Sequence, residues 1–194
     1  MKGKIIILSA PSGTGKSTVI NRLMRIPDLR LGFSISATSR EPRAGEMDGR
    51  EYYFISDEEF TRRIEADEFV EYEEVYAGTH YGTLKSEVER VCDDGDNLVM
   101  DIDVKGGLNV KRLYGCRALS IFLEPPSMQT LERRLRGRAT DSEDTIRRRL
   151  GKAEYEISFA PSFDMRIVND NLDETVERVA SAIRCFTAEE TGVN

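Results

Sequence analysis

The segment 5–18 constrains the fold more than any other part of this chain. Ile5, Ile6, Ile7 and Leu8 form a short β-branched run that is apolar on both faces, as in the central strand of a parallel sheet. Turn residues occupy 10–15, and apolar side chains then recur at helical spacing at Val19, Ile20, Leu23 and Met24. The order is strand, tight loop, helix.

The loop between them reads Ala10-Pro11-Ser12-Gly13-Thr14-Gly15-Lys16-Ser17, followed by Thr18. It fits the phosphate-loop pattern with one departure, Ala10 where the strict form has glycine. The glycines let the backbone curl so that successive N–H groups point at phosphate oxygens. The following helix offers its N-terminal amides to the same anion. Lys16 would reach the β- and γ-phosphates of a nucleoside triphosphate, and the Ser17 hydroxyl would bind Mg²⁺. A chance glycine-rich turn is the plainer reading, but its position between an apolar strand and an amphipathic helix argues against it.

The rest of the chain alternates strand and helix. A buried strand is expected at 98–103, ending in Asp101 and Asp103, then a helix near 108–113, a strand at 118–123, a strand at 165–168 and a helix at about 173–186. This predicts an α/β fold with a parallel sheet flanked by helices. Two stretches stand apart. Residues 34–83 are rich in turn residues, aromatics and charge and read as an inserted subdomain. Short strands are expected there near 52–55 and 69–75, and Ser56-Asp57-Glu58-Glu59 has the pattern that caps and opens a helix. A helix at 85–93 leads back to the core. Residues 127–159 read as two helices around a loop at 137–141 and carry seven arginines between Arg133 and Arg149.

Composition removes several classes. At 39% hydrophobic and 32% charged, the chain is too apolar for a disordered one. Net charge −7 disfavours nucleic-acid binding, which needs a positive field. The three cysteines are widely spaced and His80 is the only histidine, which argues against a disulfide framework and His-based metal sites. The apolar run at 5–8 is too short for a signal peptide or membrane span. The expectation is a cytoplasmic monomer or homodimer with small-molecule partners, neither nucleic acid nor membrane. The lone His80 reads as an exposed turn residue.

The loop alone does not choose among phosphate-loop enzymes. The absence of an Asn-Lys-x-Asp guanine-reading motif disfavours a GTPase, and the chain has no second ATPase domain. A short chain with an Arg- and Tyr-rich insertion and an Arg-rich helical segment suits two phosphorylated substrates meeting under a lid.

At this point the sequence resembles a known family. Residues 9–18, Ser36 to Arg43 with Arg40 and Arg43 three apart, Gly45-Glu46, Tyr52, Glu68 to Tyr72, Tyr81-Gly82-Thr83, Asp101 to Asp103, Gly137-Arg138, Ile146 to Leu150 and Ile167 to Asp170 look like guanylate kinase in order and spacing. The resemblance implies one domain with a core (1–33, 84–126, 160–194), a GMP-binding subdomain (34–83) and a lid (127–159). It implies phosphoryl transfer from ATP to GMP, and more weakly dGMP, with Mg²⁺. By resemblance, Ser36, Glu71, Thr83 and Asp103 would contact the guanine. Arg40, Arg43, Tyr52 and Tyr81 would hold the GMP phosphate. Arg134, Arg138 and Arg149 would belong to the lid and ATP side, with Asn169 near the adenine. Ala139, where glycine is frequent, departs from the family form.

These assignments also make chemical sense. Glu71 can accept from the N1–H and 2-amino group of guanine, donors that adenine lacks on that edge. It sits in an acidic stretch with Glu68, Glu73 and Glu74, and its phase opposite Phe69 singles it out. Arginine forks match phosphate well. The attacking oxygen of a nucleoside monophosphate is already anionic, so no general base is required. Asp101, expected at the end of a buried strand, can orient the water shell of Mg²⁺. Asp101 and Asp103, two apart on that strand, are expected to face the same side. Two competing readings are a non-catalytic interaction module, against which the intact Gly13, Gly15, Lys16 and Ser17 speak, and a kinase for another small phosphorylated acceptor.

Overall fold

The computed structural model describes residues 2–76, 78–137 and 142–188. In chain order the elements are β1 (Ile5–Ser9), α1 (Lys16–Leu23), β2 (Leu31–Phe33), β3 (Ala37–Thr38), β4 (Tyr53–Phe54), α2 (Asp57–Glu65), β5 (Phe69–Tyr76), β6 (Thr79–Leu84), α3 (Lys85–Asp93), β7 (Asn97–Asp101), α4 (Val104–Tyr114), β8 (Ala118–Glu124), α5 (Met128–Arg136), α6 (Glu143–Ile157), β9 (Met165–Val168) and α7 (Leu172–Ala188).

The apolar run at the N-terminus becomes the middle strand of a five-stranded sheet ordered β2-β7-β1-β8-β9, in which every pairing is parallel. The two-residue period of a strand sends alternate side chains to opposite faces. Ile6 and Leu8 pack with Val19 and Leu23 of α1 and with Val179 and Ile183 of α7. Ile5 and Ile7 pack on the other side with Val88 and Val91 of α3 and Val110 of α4. The four apolar side chains of β1 are fully buried, and each such burial contributes about 1.5–3 kcal/mol. A strand clamped on both faces gives the loop at its C-terminal end a rigid base, the place where open α/β sheets bind ligands.

The chain leaves this sheet after β2 and rejoins it through α3. In between it forms a second sheet ordered β4-β3-β6-β5. Its small core is Ala37, Phe60, Phe69 and Leu84, with the Phe60 and Phe69 rings stacked at 4.4 Å. The Ser56 hydroxyl accepts from the Glu59 N–H at 3.1 Å and starts α2 where its sequence pattern indicated.

Three expectations change. The sequence showed no strand at 79–84, yet β6 is the central partner of β5. Its signal is broken by Gly82, where a Cβ would lie 2.7 Å from the Glu71 carbonyl oxygen. His80 therefore lies on a strand, half-buried, its ring 5.2 Å from that of Phe60 and its Nδ1 3.0 Å from Asp57 Oδ1. The third change concerns Asp101 and Asp103. The strand ends at Asp101, and Asp103 caps α4, its Oδ1 accepting from the N–H groups of Lys105 and Gly106 at 2.6 and 2.9 Å. The helix thus starts four residues before the expected 108. Gly106 and Gly107 hid it, since glycine is a poor helix former. Gly107 is needed for close packing, because a Cβ there would lie 2.9 Å from Ser9 Oγ and 3.1 Å from Ile7 Cγ2.

Helices α5 and α6 pack through Leu131, Leu135 and Ala153, flanked by Met128 and Leu150. Serine hydroxyls cap both, Ser127 accepting from Thr130 N–H and Ser142 from Thr145 N–H. Arg138 and Ala139 lie outside the described residues.

Candidate active site

The phosphate loop owes its curl to two left-handed glycines, Gly13 at φ +91° and Gly15 at φ +102°. Other residues are strained there. Space also excludes a side chain: a Cβ on Gly13 would lie 2.8 Å from Leu135 Cδ2, and one on Gly15 would lie 2.8 Å from Asn169 Nδ2. The next residue, Lys16, opens α1, so the helix amides face the loop. Ala10, Ser12, Lys16, Ser17 and Thr18 line a cleft of about 320 Å³, with Pro11, Gly13 and Gly15 completing its floor. On the far wall stand Asp101, Asp103 and Glu156.

Lys16 bridges the cleft. Its Nζ donates to the Ile102 carbonyl at 3.2 Å and forms an ion pair with Asp101. Ser17 and Asp101 are both exposed to the cleft. One carboxylate and one hydroxyl suit a hard cation that keeps most of its water and shares substrate phosphate oxygens. Among the described residues no group of three His, Cys, Asp or Glu side chains could hold a metal alone. Glu156 of α6 is buried, and burial pushes its carboxyl up against the opposing charges of Lys152 and Lys16.

A second cleft of about 270 Å³ adjoins the loop on its outer side and is lined by Thr18, Arg134, Asn169 and Leu172. Here the expected ATP-side residues Arg134 and Asn169 meet. Arg134 Nη1 donates to the carbonyls of Thr14 and Asn169 at 3.2 and 3.1 Å. The buried Asn169 donates its Nδ2–H to the Thr14 carbonyl at 2.7 Å. Both side chains therefore brace the phosphate loop directly.

On the insertion, Glu71 and Thr83 face one another across β5 and β6, with Thr83 Oγ1 donating to Glu71 Oε1 at 2.7 Å. A register shift between Phe69 and Glu71 lets Phe69 fill the insertion core while Glu71 turns toward Gly106 of α4. Burial pushes the Glu71 carboxyl up, the Thr83 hydroxyl opposes this, and the nearby Asp103 charge adds to it. Glu71 and Asp103 line a further cleft of about 590 Å³ between β5 and α4. Asp103 also borders the phosphate-loop cleft, so the two spaces meet at this residue.

The arginine loop forms a tight cluster. Arg40 Nη1 and Nη2 donate to the two Glu46 oxygens, each at 2.7 Å, and Nε donates to Tyr81 Oη at 3.0 Å. The guanidinium carbon lies 5.1 Å from the Tyr52 ring centroid, and Tyr52 meets Tyr81 edge-on at 5.7 Å. These contacts, the Glu46 hydrogen bonds first, push the Arg40 pKa further up. Arg40, together with the Arg43 N–H donating at 2.7 Å, holds the Glu46 carboxyl down at about 2. Arg43 is exposed and Ser36 half-buried, the Ser36 carbonyl accepting from Tyr53 N–H at 2.9 Å. Arg149 lies half-buried on α6.

The structure thus joins Arg40 with Tyr52 and Tyr81, Glu71 with Thr83 near Asp103, and Arg134 with Asn169. It gives Ser36 and Arg43 main-chain contacts in the same region. Sequence reasoning gave no role to Glu46, Glu73 or Glu156. Glu46 had a signal in its place between the paired arginines and Tyr52. Glu73 was hidden in an acidic run, and Glu156 showed only its helical spacing from Lys152.

Comparisons with known proteins identify the family. A family model described as guanylate kinase matches residues 2–185. A guanylate kinase of Porphyromonas gingivalis is 59% identical over 185 residues, covering 95% of this chain and 98% of that one. One of Bacteroides thetaiotaomicron is 54% identical over 190 residues, covering 98% and 93%. Among solved structures, a guanylate kinase of Anaplasma phagocytophilum superposes with a TM-score of 0.73 at 34% identity, covering 97% of this chain and 88% of that chain.

Proposed function

The chain belongs to the guanylate kinase family, and from that premise we infer how it transfers the γ-phosphoryl group of ATP to GMP, giving ADP and GDP. One observation supports this reading most: the phosphate-loop cleft and the cleft of Glu71 share Asp103 as a common wall. A donor on the phosphate loop and a base held at Glu71 are therefore neighbours, while Arg40, Tyr52 and Tyr81 cluster together outside the second cleft.

Lys16, with the loop amides, holds the β- and γ-phosphates. Arg134 and Asn169 keep the loop in shape and border the nucleoside end. Arg40, Arg43, Tyr52 and Tyr81 take the GMP phosphate, with Arg138 and Arg149 on the ATP side of the lid 127–159. Ser36, Glu71, Thr83 and Asp103 read the guanine, Glu71 accepting from N1–H and the 2-amino group. An oxygen of the GMP phosphate attacks the γ-phosphorus, the bond from that phosphorus to the β–γ bridging oxygen breaks, and ADP leaves with the bond's electron pair. The nucleophile is already an anion, so the chain's task is alignment and relief of charge repulsion. Ser17 and Asp101 would hold Mg²⁺, which when bound neutralises charge on the β- and γ-phosphates. No described helix is long and apolar enough to cross a membrane.

The test is ADP release from Mg-ATP with GMP, AMP, CMP or UMP as acceptor, and dGMP as an expected weaker one. Turnover strongly favouring GMP supports the reading. Equal turnover with AMP contradicts it.

A further inference from the structure

The chain crosses from the core sheet into the insertion between β2 and β3 and returns through α3. One acid ties the crossing to the return. Glu87 of α3 is 3% exposed, yet both of its carboxylate oxygens have partners. Oε2 accepts from the Ile35 N–H at 2.9 Å, and Oε1 accepts from Tyr53 Oη at 2.8 Å. Arg90, one helical turn on, donates Nε to Oε1 at 2.8 Å and Nη2 to Oε2 at 2.9 Å. The Arg90 side chain is 49% exposed and closes the carboxylate off from the solvent side. Burial pushes the Glu87 carboxyl up, but these hydrogen bonds outweigh it and hold the group low.

The two groups that Glu87 holds border residues read as GMP contacts. Ile35 precedes Ser36, and the Ser36 carbonyl accepts from the Tyr53 N–H at 2.9 Å. Tyr53 follows Tyr52 and pairs in register with Ala37 of β3. The strand that carries it, β4, is an edge strand of two residues. That is shorter than an ordinary strand, so its backbone ladder holds it weakly. The Tyr53 ring packs on the small insertion core, and its hydroxyl reaches past that core to α3. Glu87 thus supplies from the side-chain end the hold that the ladder lacks.

We propose that Glu87 is a positioning residue for GMP binding: from α3 it holds the Ile35 main chain and the Tyr53 hydroxyl, and so places Ser36 and Tyr52 at the acceptor site. This rests on the reading of Ser36 as a guanine contact and Tyr52 as a phosphate contact. Glu87 itself lines none of the three clefts described above. Without its hold, a smaller fraction of molecules presents Ser36 and Tyr52 correctly, and the apparent affinity for GMP falls by that fraction. Saturating GMP restores the arrangement, so kcat and the KM for ATP stay unchanged.

The test is steady-state kinetics, each substrate varied in turn, for Tyr53→Phe, Glu87→Ala, Glu87→Gln and the double variant of Tyr53→Phe with Glu87→Ala. Tyr53→Phe removes one of the two bonds and is expected to raise the KM for GMP about threefold; Glu87→Ala removes both and should raise it about tenfold. Glu87→Gln stays near the parent, because its amide can accept from the Ile35 N–H and donate to Tyr53 Oη. The double variant matches Glu87→Ala alone, since the Tyr53 hydroxyl has then already lost its partner. A parental KM for GMP in Tyr53→Phe and Glu87→Ala, an equal rise in the KM for ATP, or a Glu87→Gln as impaired as Glu87→Ala overturns the proposal. Thermal melting checks each fold, and Tyr53→Phe, which keeps its ring in the insertion core, carries the test if Glu87→Ala does not fold. Ser36→Ala and Tyr52→Phe separate the two levels. If they raise the KM for GMP while the Glu87 and Tyr53 variants do not, only this proposal falls. If both leave it unchanged, the reading of Ser36 and Tyr52 falls and this proposal with it.

Discussion

Arg40 and Glu46 meet in a two-pronged ion pair, each prong 2.7 Å long. The same carboxylate takes the Arg43 N–H, so one acid fixes both the fork of one arginine and the backbone of the other. A guanidinium offers the same fork to a phosphate. Glu46→Gln should therefore raise the KM for GMP by about tenfold, one charge-assisted hydrogen bond's worth, and leave the KM for ATP unchanged. Kinetics with each substrate varied in turn would show it. An equal rise in both would place Glu46 in general stability instead.

The same pair sets an acid dependence. Glu46 lies at about 2, against an ordinary value of 4.5. A lowered carboxyl contributes stability that is fully present above its unfolded value and is lost as pH falls through the folded one. Urea unfolding between pH 4.5 and pH 2 should show stability falling with pH, and Glu46→Gln should flatten that slope. Identical slopes in the two proteins would exclude Glu46 as a contributor.

Asn169 reaches the loop with a buried hydrogen bond to the Thr14 carbonyl at 2.7 Å. Asn169→Ala leaves that carbonyl with the Arg134 contact alone among the described residues. Because the Arg134 contact remains, the cost is that of one lost hydrogen bond, about 0.5–1.5 kcal/mol. It should appear as a higher KM for ATP and a lower Tm, with the KM for GMP unaffected. Calorimetry and ATP-dependent kinetics test both halves.

Lys16→Ala should lower kcat by at least about a thousandfold, the scale of losing a preorganised charge at a phosphoryl group. The fold should persist, because the Lys16 side chain is 17% exposed at the cleft wall and belongs to no apolar cluster. Circular dichroism checks the fold. Parental turnover in this variant would remove the phosphate-loop mechanism.

The parts legible in the sequence were those whose signal is local. Ile5 to Leu8 name a central strand because both faces are apolar, and Gly13 and Gly15 name a phosphate loop because few other residues take positive φ. Ser56 marked a helix start through its own hydrogen bond. What stayed hidden depends on contacts between distant segments. The strand at 79–84 carries Gly82 because β5 passes too close for a side chain, and that approach is not written in 79–84 itself. Asp103 looked like a strand residue by parity with Asp101, yet a local cap to two amides turned it into the start of a helix. Glu73, Glu156 and Lys152 carry charge patterns typical of surface residues, and only the convergence of β5, α4 and α6 joins them in one cleft.

In the proposed function Glu71 reads the acceptor base. Its carboxyl is pushed up by burial, with Asp103 and Glu73 adding to that shift and Thr83 opposing it. Its ionised form is therefore disfavoured in the folded protein, and stability falls as pH rises above 4.5 toward the raised folded value. Glu71→Gln should accordingly raise Tm at neutral pH and raise it less at pH 4.5. The decisive measurement is the ratio of kcat/KM for GMP to that for AMP in the parent and in Glu71→Gln. The ratio should be large in the parent and drop by about a hundredfold in the variant, chiefly through loss of GMP turnover. An unchanged ratio would contradict this role and place guanine recognition elsewhere in the insertion.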